Sequence, residues 1–154
     1  MKIEAEVGNI LRKRKMTIAV AESCTDGLIS SRITDINGSS DYFIMGIVIY
    51  SNKMKESILK VSPKLTRKHG AVSKQVALEM AKGVRLLAAT DIGIGVTGIA
   101  GPTGGTKSKP VGLVYIALIT DKKQIVKEFQ FKGTREEIKF KASQTTMDMI
   151  RQNT

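Results

Sequence analysis

The chain has 154 residues, of which 42% are hydrophobic and 25% charged, and its formal net charge at pH 7 is +11. These proportions predict one soluble globular domain over residues 1–154, and no apolar run approaches the roughly 18 residues that a membrane-spanning helix needs. A single cysteine and a single histidine exclude an internal disulfide and argue against a metal site. The amino terminus has no secretory-signal pattern, so we expect a cytoplasmic protein without membrane contact.

The positive charge predicts an anionic substrate or partner, but it does not distinguish a nucleotide from a nucleic acid. Basic residues are densest between Lys53 and Lys74, and no aromatic side chain lies among them. Surfaces that bind single-stranded nucleic acid usually combine basic and aromatic side chains. A solvated helical face is the more ordinary interpretation, so nucleic acid is the less favoured partner.

Hydrophobic periodicity and turn residues predict helices and strands along the whole chain. In chain order they are helix 3–14, strand 17–22, a helix through Leu28, Ile29 and Ile33, strand 43–50, a helix capped by Asn52, a helical turn from Ser62, a helix from Ser73, strand 91–97, a hairpin of strands 111–120 and 124–131, and a final helix opened by the capping-box sequence T-R-E-E at 134–137. This order predicts an α/β fold, a three-layer α/β/α sandwich with a mixed β-sheet.

The stretch from Asp91 to Pro110 carries the clearest indication of a ligand site. Its strand alternates isoleucine and valine with glycine, which favours a buried strand packed closely against another backbone. A glycine-rich loop follows Thr97, and such loops bring backbone N–H groups up to anionic ligands in α/β proteins. A flexible surface connection is the alternative. The loop glycines expected to line the site are Gly98, Gly101, Gly104 and Gly105.

A second candidate is the sequence A-E-S-C-T-D-G at residues 21–27, between a strand and a helix. The first N–H groups of a helix have no partners within it and favour an anion or a carbonyl oxygen. Ser23 and Thr25 add hydroxyl groups, although capping of the helix by either of them is the alternative. We interpret Cys24 as a small buried residue rather than a nucleophile.

A third candidate combines Ser40 before the second strand, Tyr50 at its end and Lys55 in the following helix. A serine, a tyrosine and a lysine that meet in space can perform acyl transfer without histidine, provided that burial or a nearby positive charge keeps the lysine neutral. The alternatives are an amphipathic strand end for Tyr50 and a solvated side chain for Lys55.

Together these motifs resemble the CinA carboxy-terminal-domain family, the nicotinamide-mononucleotide deamidases. The resemblance covers the chain from about Ile3 to Ile150 and rests on AESCTDG, GSSDYFIMGIVIYSNKMK, HGAVSKQVALEMAKG, GVTGIAGPTGG and KPVGLVYIAL. It implies an α/β/α sandwich that hydrolyses the carboxamide of nicotinamide mononucleotide to nicotinate mononucleotide and ammonia. The implied partner is this small anionic nucleotide, and neither a metal nor an organic cofactor is implied.

The resemblance also implies roles for individual residues. Ser40 is the expected nucleophile and Ser23 a second active-site serine, while Tyr50 and Lys55 match the family's tyrosine and lysine. On this hypothesis Lys55 takes the proton of the attacking Ser40 hydroxyl, and Tyr50 relays a proton to the leaving ammonia. Should Ser40 not be the nucleophile, Ser23 is the next candidate.

Thr97 and the glycines after it match the motif that lines the family's substrate pocket. Arg135 matches a basic residue that could reach the substrate phosphate, in its own subunit or in a neighbouring one. A homo-oligomer is the expectation from base rates.

One position departs from the family pattern, which usually has two glycines where this chain has Asp26 and Gly27. Asp26 suits the first turn of a helix, but it is unfavourable beside a phosphate or an oxyanion. The position also favours a backbone conformation that glycine reaches most easily. A catalytically impaired nucleotide-binding protein is therefore the alternative function.

Overall fold

A computed structural model describes residues 1–154 as a five-stranded sheet with helices on both faces. The helices are α1 (Ile3–Arg14), α2 (Leu28–Thr34), α3 (Asn52–Leu59), α4 (Pro63–His69), α5 (Lys74–Ala88) and α6 (Arg135–Asn153), and a 3-10 turn spans Ser39–Asp41. The strands are β1 (Ile18–Glu22), β2 (Phe43–Val48), β3 (Ile92–Gly98), β4 (Leu113–Ile119) and β5 (Gln124–Gln130). None of the helices is both long and apolar enough to cross a membrane.

The strand order β2-β1-β3-β4-β5 makes the sheet mixed. β1 lies in the middle of a parallel trio with β2 and β3, whereas β4 runs antiparallel to β3 and forms a hairpin with β5. The carboxyl ends of β1, β2 and β3 therefore meet at one edge of the sheet, which we call the carboxyl edge. In open α/β sheets, ligands bind outside this edge.

Both faces of the sheet are covered, which confirms the predicted three-layer sandwich. Ile18 and Val20 of β1 point into one core with α1, α2 and α6, while Ala19 and Ala21 point into a second core with residues of α3 and α5. All five residues of β1 are buried. A strand buried on both faces reads as a continuous apolar run, and that is why the segment was recognisable in the sequence.

The glycines of β3 allow α5 to approach the sheet closely, as the sequence predicted. A Cβ atom added at Gly93 would collide with the carbonyl oxygen of Ala81, and one added at Gly95 would collide with that of Ala77. Because backbone atoms cannot give way as a flexible side chain can, any larger residue would push α5 off β3. The close contact holds the carboxyl end of β3 against the amino-terminal half of α5.

Arg32 of α2 ties together the three helices on the first face. Its guanidinium donates to Glu4 of α1 at 2.6 Å, and to Ser143 and Gln144 of α6 at 2.7 Å each. Burial raises the pKa of Glu4, but a backbone hydrogen bond and the Arg32 guanidinium outweigh it, so the net pKa is lowered. The ion pair with Glu4 thus joins α2 to α1, and the hydrogen bonds to Ser143 and Gln144 fix α6 relative to α2. Both α2 and α6 begin at the carboxyl edge.

Two details of the sequence prediction are corrected. The cap of α3 is Ser51, whose hydroxyl accepts from the Met54 N–H at 3.2 Å, and Asn52 is the first helical residue. β2 ends at Val48, so Tyr50 lies in the connection to α3 rather than in the strand. The cap of the last helix is as predicted, because Thr134 accepts from the Glu137 N–H at 3.2 Å.

Candidate active site

A cavity of about 200 Å³ lies at the carboxyl edge. The residues around it come from the ends of all three parallel strands, from α3, from the turn between α4 and α5 and from the start of α6. They are Ser23, Cys24, Tyr50, Asn52, Lys55, Ala71, Val72, Thr97, Gly98, Ala100 and Arg135. Six of the residues predicted from sequence therefore share one cavity, namely Ser23, Tyr50, Lys55, Thr97, Gly98 and Arg135.

Ser23 is the first residue after β1, and neighbouring backbone groups fix its position. Its N–H donates to the Val96 carbonyl of β3 at 3.0 Å, and its carbonyl accepts from the Asp26 N–H at 3.2 Å. The residue is only 7% exposed, so its hydroxyl is held at the cavity wall rather than in bulk water.

The first N–H groups of α2 are not free to bind a ligand, contrary to the sequence interpretation, and neither the Ser23 nor the Thr25 hydroxyl caps the helix. The buried carboxylate of Glu22 instead accepts from the N–H groups of Ile29 and Ser30 at 2.9 Å each, and from the Ser30 hydroxyl at 2.7 Å. A carboxylate satisfies these orphan N–H groups and suits the positive end of the helix dipole.

Free backbone donors remain in the turn that precedes α2. The N–H groups of Cys24 and Thr25 donate to no backbone or side-chain acceptor. Cys24 follows Ser23 in the chain and lines the cavity, so its N–H can serve as an oxyanion donor, whereas Thr25 is fully buried and does not line the cavity. Burial raises the pKa of the Cys24 thiol to about 12, so at neutral pH this side chain is a thiol and not a nucleophilic thiolate.

Lys55 is the most unusual side chain of the cavity because it is 3% exposed. It lies on α3 one helical turn before Leu59, so both side chains are on the face that packs onto the domain. Its ammonium forms no hydrogen bond and no salt bridge with the protein. Burial therefore lowers the pKa of Lys55, and the nearby Cys24 thiolate would only partly oppose that shift.

The mouth of the cavity is bridged by Arg135, the first residue of α6. Its guanidinium donates to the Gly101 carbonyl at 2.6 Å and to the Tyr50 hydroxyl at 3.2 Å. Tyr50 is 61% exposed and accepts this bond, so its own proton remains available for a substrate.

Thr97 lines the cavity, but its hydroxyl is already engaged. It donates to the Ala71 carbonyl at 2.9 Å, in the turn between α4 and α5. Thr97 is 1% exposed, so this contact joins β3 to the opposite wall of the cavity. The hydroxyl can still accept a hydrogen bond from a ligand, but it has no second proton to donate.

Ser40 is not in this cavity. It is exposed in the 3-10 turn before β2, whereas Tyr50 follows the carboxyl end of that strand. The six residues of β2 separate the two positions, and a strand of that length extends about 20 Å. Since a parallel strand places residues before and after it at opposite edges of the sheet, Ser40 cannot meet Tyr50 and Lys55 without unfolding β2.

The remaining predicted residues do not line the cavity. Thr25 is fully buried, with a hydroxyl that has no hydrogen-bond partner, and Gly101 is a buried residue of the loop. Gly104 and Gly105 are exposed farther along the loop. The glycine motif therefore reaches the cavity only through its first residues, Gly98 and Ala100.

Asp26 also lies outside the cavity and lines a neighbouring open groove of about 860 Å³. Its carboxylate is 3.7 Å from the Lys139 ammonium. Its φ of 53° is in the left-handed region, as the sequence suggested for this position. Aspartate is one of the few residues other than glycine that adopts this conformation readily.

No group of three or more His, Cys, Asp or Glu side chains in the structure could hold a metal ion.

All of residues 1–154 match the family model described as the CinA C-terminal domain. This chain belongs to that family. It is 51% identical over 149 residues to a CinA-like protein from Koribacter versatilis, a match that covers 97% of this chain and 36% of that protein. This CinA C-terminal domain therefore spans about a third of the length of the curated relatives it matches.

Crystal structures of the family have the same fold as this CinA C-terminal domain. The competence/damage inducible protein CihA from Agrobacterium tumefaciens superposes with a TM-score of 0.91 at 36% identity, covering 96% of this chain and 93% of that one. The competence damage-inducible protein A from Klebsiella pneumoniae gives a TM-score of 0.95 at 30% identity, covering 98% and 94%.

Sequence reasoning missed several residues that shape the cavity. Ala71 and Val72 form a wall from the turn between α4 and α5, and Glu22 caps α2 beside Ser23. A carboxylate that directly follows an apolar strand and precedes a helix was a usable signal for Glu22. Ala71 and Val72 carried no such signal, because their role depends on how α4 and α5 pack.

Proposed function

We propose that this domain hydrolyses the carboxamide of nicotinamide mononucleotide, releasing nicotinate mononucleotide and ammonia. The observation that carries the proposal is the buried, unpaired Lys55 in the same cavity as the Ser23 hydroxyl. A lysine without a carboxylate partner and with a lowered pKa is the base that a serine amidohydrolase without histidine requires.

In the first half of the reaction, Ser23 is the nucleophile in place of Ser40. Neutral Lys55 takes the hydroxyl proton as the Ser23 oxygen attacks the carboxamide carbon. The free N–H group of Cys24 stabilises the oxyanion, at about 3 kcal/mol of barrier for a well-placed donor. The intermediate then loses ammonia as the carbon–nitrogen bond breaks, and the proton on Lys55 passes to the departing nitrogen.

In the second half, water hydrolyses the ester formed on Ser23. Lys55, neutral again, takes a proton from the water as its oxygen attacks the ester carbon. Collapse of this intermediate breaks the bond to the Ser23 oxygen, which recovers a proton from Lys55. The carboxylic acid product ionises at neutral pH, and the enzyme returns to its starting state.

The size of the cavity and the charge at its mouth support a substrate of this kind. About 200 Å³ accommodates a pyridine carboxamide but not a whole nucleotide, so the ribose and phosphate would lie at the mouth. There the Arg135 guanidinium can form a bidentate bond with a phosphate by exchanging its contacts with Gly101 and Tyr50. The net charge of +11 favours the approach of such an anion.

The direct test is ammonia release from nicotinamide mononucleotide by the purified protein. We expect turnover with this nucleotide and at least about 100-fold lower kcat/KM with free nicotinamide, because free nicotinamide lacks the phosphate that Arg135 binds. Equal rates for the two compounds would contradict the role of Arg135. No ammonia from folded protein would contradict the proposed function.

The alternative is a protein that binds the nucleotide without hydrolysing it, and Asp26 is the reason to consider it. The pairing with Lys139 and the position outside the cavity argue that Asp26 does not disturb the reaction. We expect Asp26→Gly to change kcat/KM by less than about threefold. Because the ion pair of Asp26 with Lys139 is partly exposed, its loss should lower the free energy of unfolding by at most about 1 kcal/mol. A gain in kcat/KM of tenfold or more would show that Asp26 impairs this protein.

A further inference from the structure

Lys109 is a charged residue of the glycine-rich loop that the proposed reaction does not use. The loop leaves β3 after Gly98 and returns at Gly112, whose N–H donates to the Ile99 carbonyl at 2.7 Å. Residues 102–108 are exposed, but Lys109 is partly buried. Its side chain therefore turns inward from a segment that otherwise faces solvent.

The ammonium of Lys109 binds the turn that forms one wall of the cavity. It donates to the His69 carbonyl, and to the Val72 carbonyl at 2.7 Å. The space is tight, since a Cβ atom added at Gly70 would lie 2.8 Å from the Lys109 nitrogen. A lysine with two backbone acceptors in such a space is held in one position, unlike a solvated surface lysine.

All four carbonyl oxygens of residues 69–72 are bound by side chains. The Lys109 ammonium donates to the first and the last, the carbonyls of His69 and Val72. The Ser73 hydroxyl donates to the Gly70 carbonyl at 2.9 Å, and the Thr97 hydroxyl donates to the Ala71 carbonyl at 2.9 Å. Of these three side chains, only that of Lys109 comes from the glycine-rich loop. The turn is thus held to β3 by Thr97 and to the loop by Lys109.

Hydrogen bonds between Thr106 and Lys109 fix the backbone around Lys109. The Thr106 hydroxyl accepts from the Lys109 N–H at 3.0 Å, and the Thr106 N–H donates to the Lys109 carbonyl at 2.8 Å. Arg135 forms a second attachment of the loop, through the Gly101 carbonyl. Two cations therefore hold the loop, Arg135 from α6 near its start and Lys109 near its end.

We propose that Lys109 is a positioning residue for substrate binding, which sets the distance between the glycine-rich loop and the wall formed by Ala71 and Val72. It touches neither Ser23 nor Lys55, so it acts on the shape of the cavity and not on proton transfer. Its kinetic consequence rests on the proposed function. Its structural consequence, an ordered loop and an ordered turn, does not.

The test compares Lys109→Met with Lys107→Met, which removes the same charge from an exposed position in the same loop. We expect Lys109→Met to raise KM for nicotinamide mononucleotide about tenfold, with kcat within threefold and an unchanged pH profile. Lys107→Met should behave as the wild type. Lys109→Arg, which keeps the donors, should recover at least half of the loss, and Thr106→Val should show a weaker effect in the same direction.

Amide hydrogen exchange provides the readout that is independent of catalysis. In Lys109→Met, exchange should become at least tenfold faster in the loop segment, at the hydrogen-bonded N–H groups of Thr106 and Lys109, and in the turn segment, at the Gly70 N–H, with no change in Lys107→Met. Unchanged exchange in both segments, or a loss confined to kcat, would overturn the proposal. If the wild type releases no ammonia, the proposed function fails, and the exchange result alone supports or overturns the role of Lys109.

Discussion

Replacement of Lys55 by methionine is expected to lower kcat/KM for ammonia release by about 10³-fold or more, because the reaction loses its only base. Methionine has a similar length and suits the apolar face of α3. We therefore expect the free energy of unfolding to rise by about 1 kcal/mol, since a desolvated amine is removed from a buried position. Activity assays together with urea denaturation measure both effects on one sample.

The matched control is Lys53→Met, on the same helix but exposed. It should leave both kcat/KM and stability close to those of the wild type. An equal loss of activity in the two variants would mean that positive charge, and not a base, is what α3 contributes.

The pH profile of the wild type gives a second test of Lys55. The reactive form is the neutral amine, so kcat/KM should fall tenfold per pH unit below the pKa of Lys55 and level off above it. Burial lowers this pKa, so the midpoint should lie below the ordinary lysine value of 10.5. A profile that still rises at pH 10.5 would contradict a lowered pKa, and a profile that is flat down to pH 5 would exclude Lys55 as the base.

Replacement of Ser23 by alanine is expected to reduce ammonia release by at least about 10³-fold, while the dissociation constant for the nucleotide changes by less than threefold. The change removes one oxygen from a residue whose backbone is held by Val96 and Asp26, so the cavity keeps its shape. Calorimetric titration with nicotinamide mononucleotide separates the two effects. The double variant with Lys55→Met should be no slower than either single one, because the two residues act as one unit.

Ser40→Ala is the matched serine control and decides between the two serines that the sequence put forward. Because Ser40 lies at the opposite edge of the sheet from the cavity, loss of its hydroxyl should leave kcat/KM within about twofold of the wild type. Full activity in Ser23→Ala with a large loss in Ser40→Ala would restore the sequence-based assignment and refute the mechanism proposed here.

The helices and strands could largely be predicted from the sequence, because the burial of each element leaves a pattern in its own residues. The first four residues of β1 are apolar because both faces of the strand are buried, and β3 alternates apolar residues with glycine because α5 packs directly on its backbone. Such patterns depend on near neighbours and on burial, which a single chain displays. Ser23, Tyr50, Lys55 and Thr97 also stood out, because they lie at or soon after the ends of predicted strands, whereas Arg135 was implied by the family resemblance.

The choice among those residues was made by the tertiary structure. Ser40 and Tyr50 lie at the two ends of one strand, whose length keeps them about 20 Å apart. The direction of β2 in the sheet then decides that Tyr50, and not Ser40, lies at the carboxyl edge. Lys55 reads as one more lysine in a basic segment, and its burial appears only when α3 packs beside β1 and α5. Lys109 reaches carbonyls 37 and 40 residues away in the chain. Contacts between distant segments leave no pattern in the local sequence. They depend on how helices and strands pack against one another, and the periodicity that predicts each element does not encode that packing.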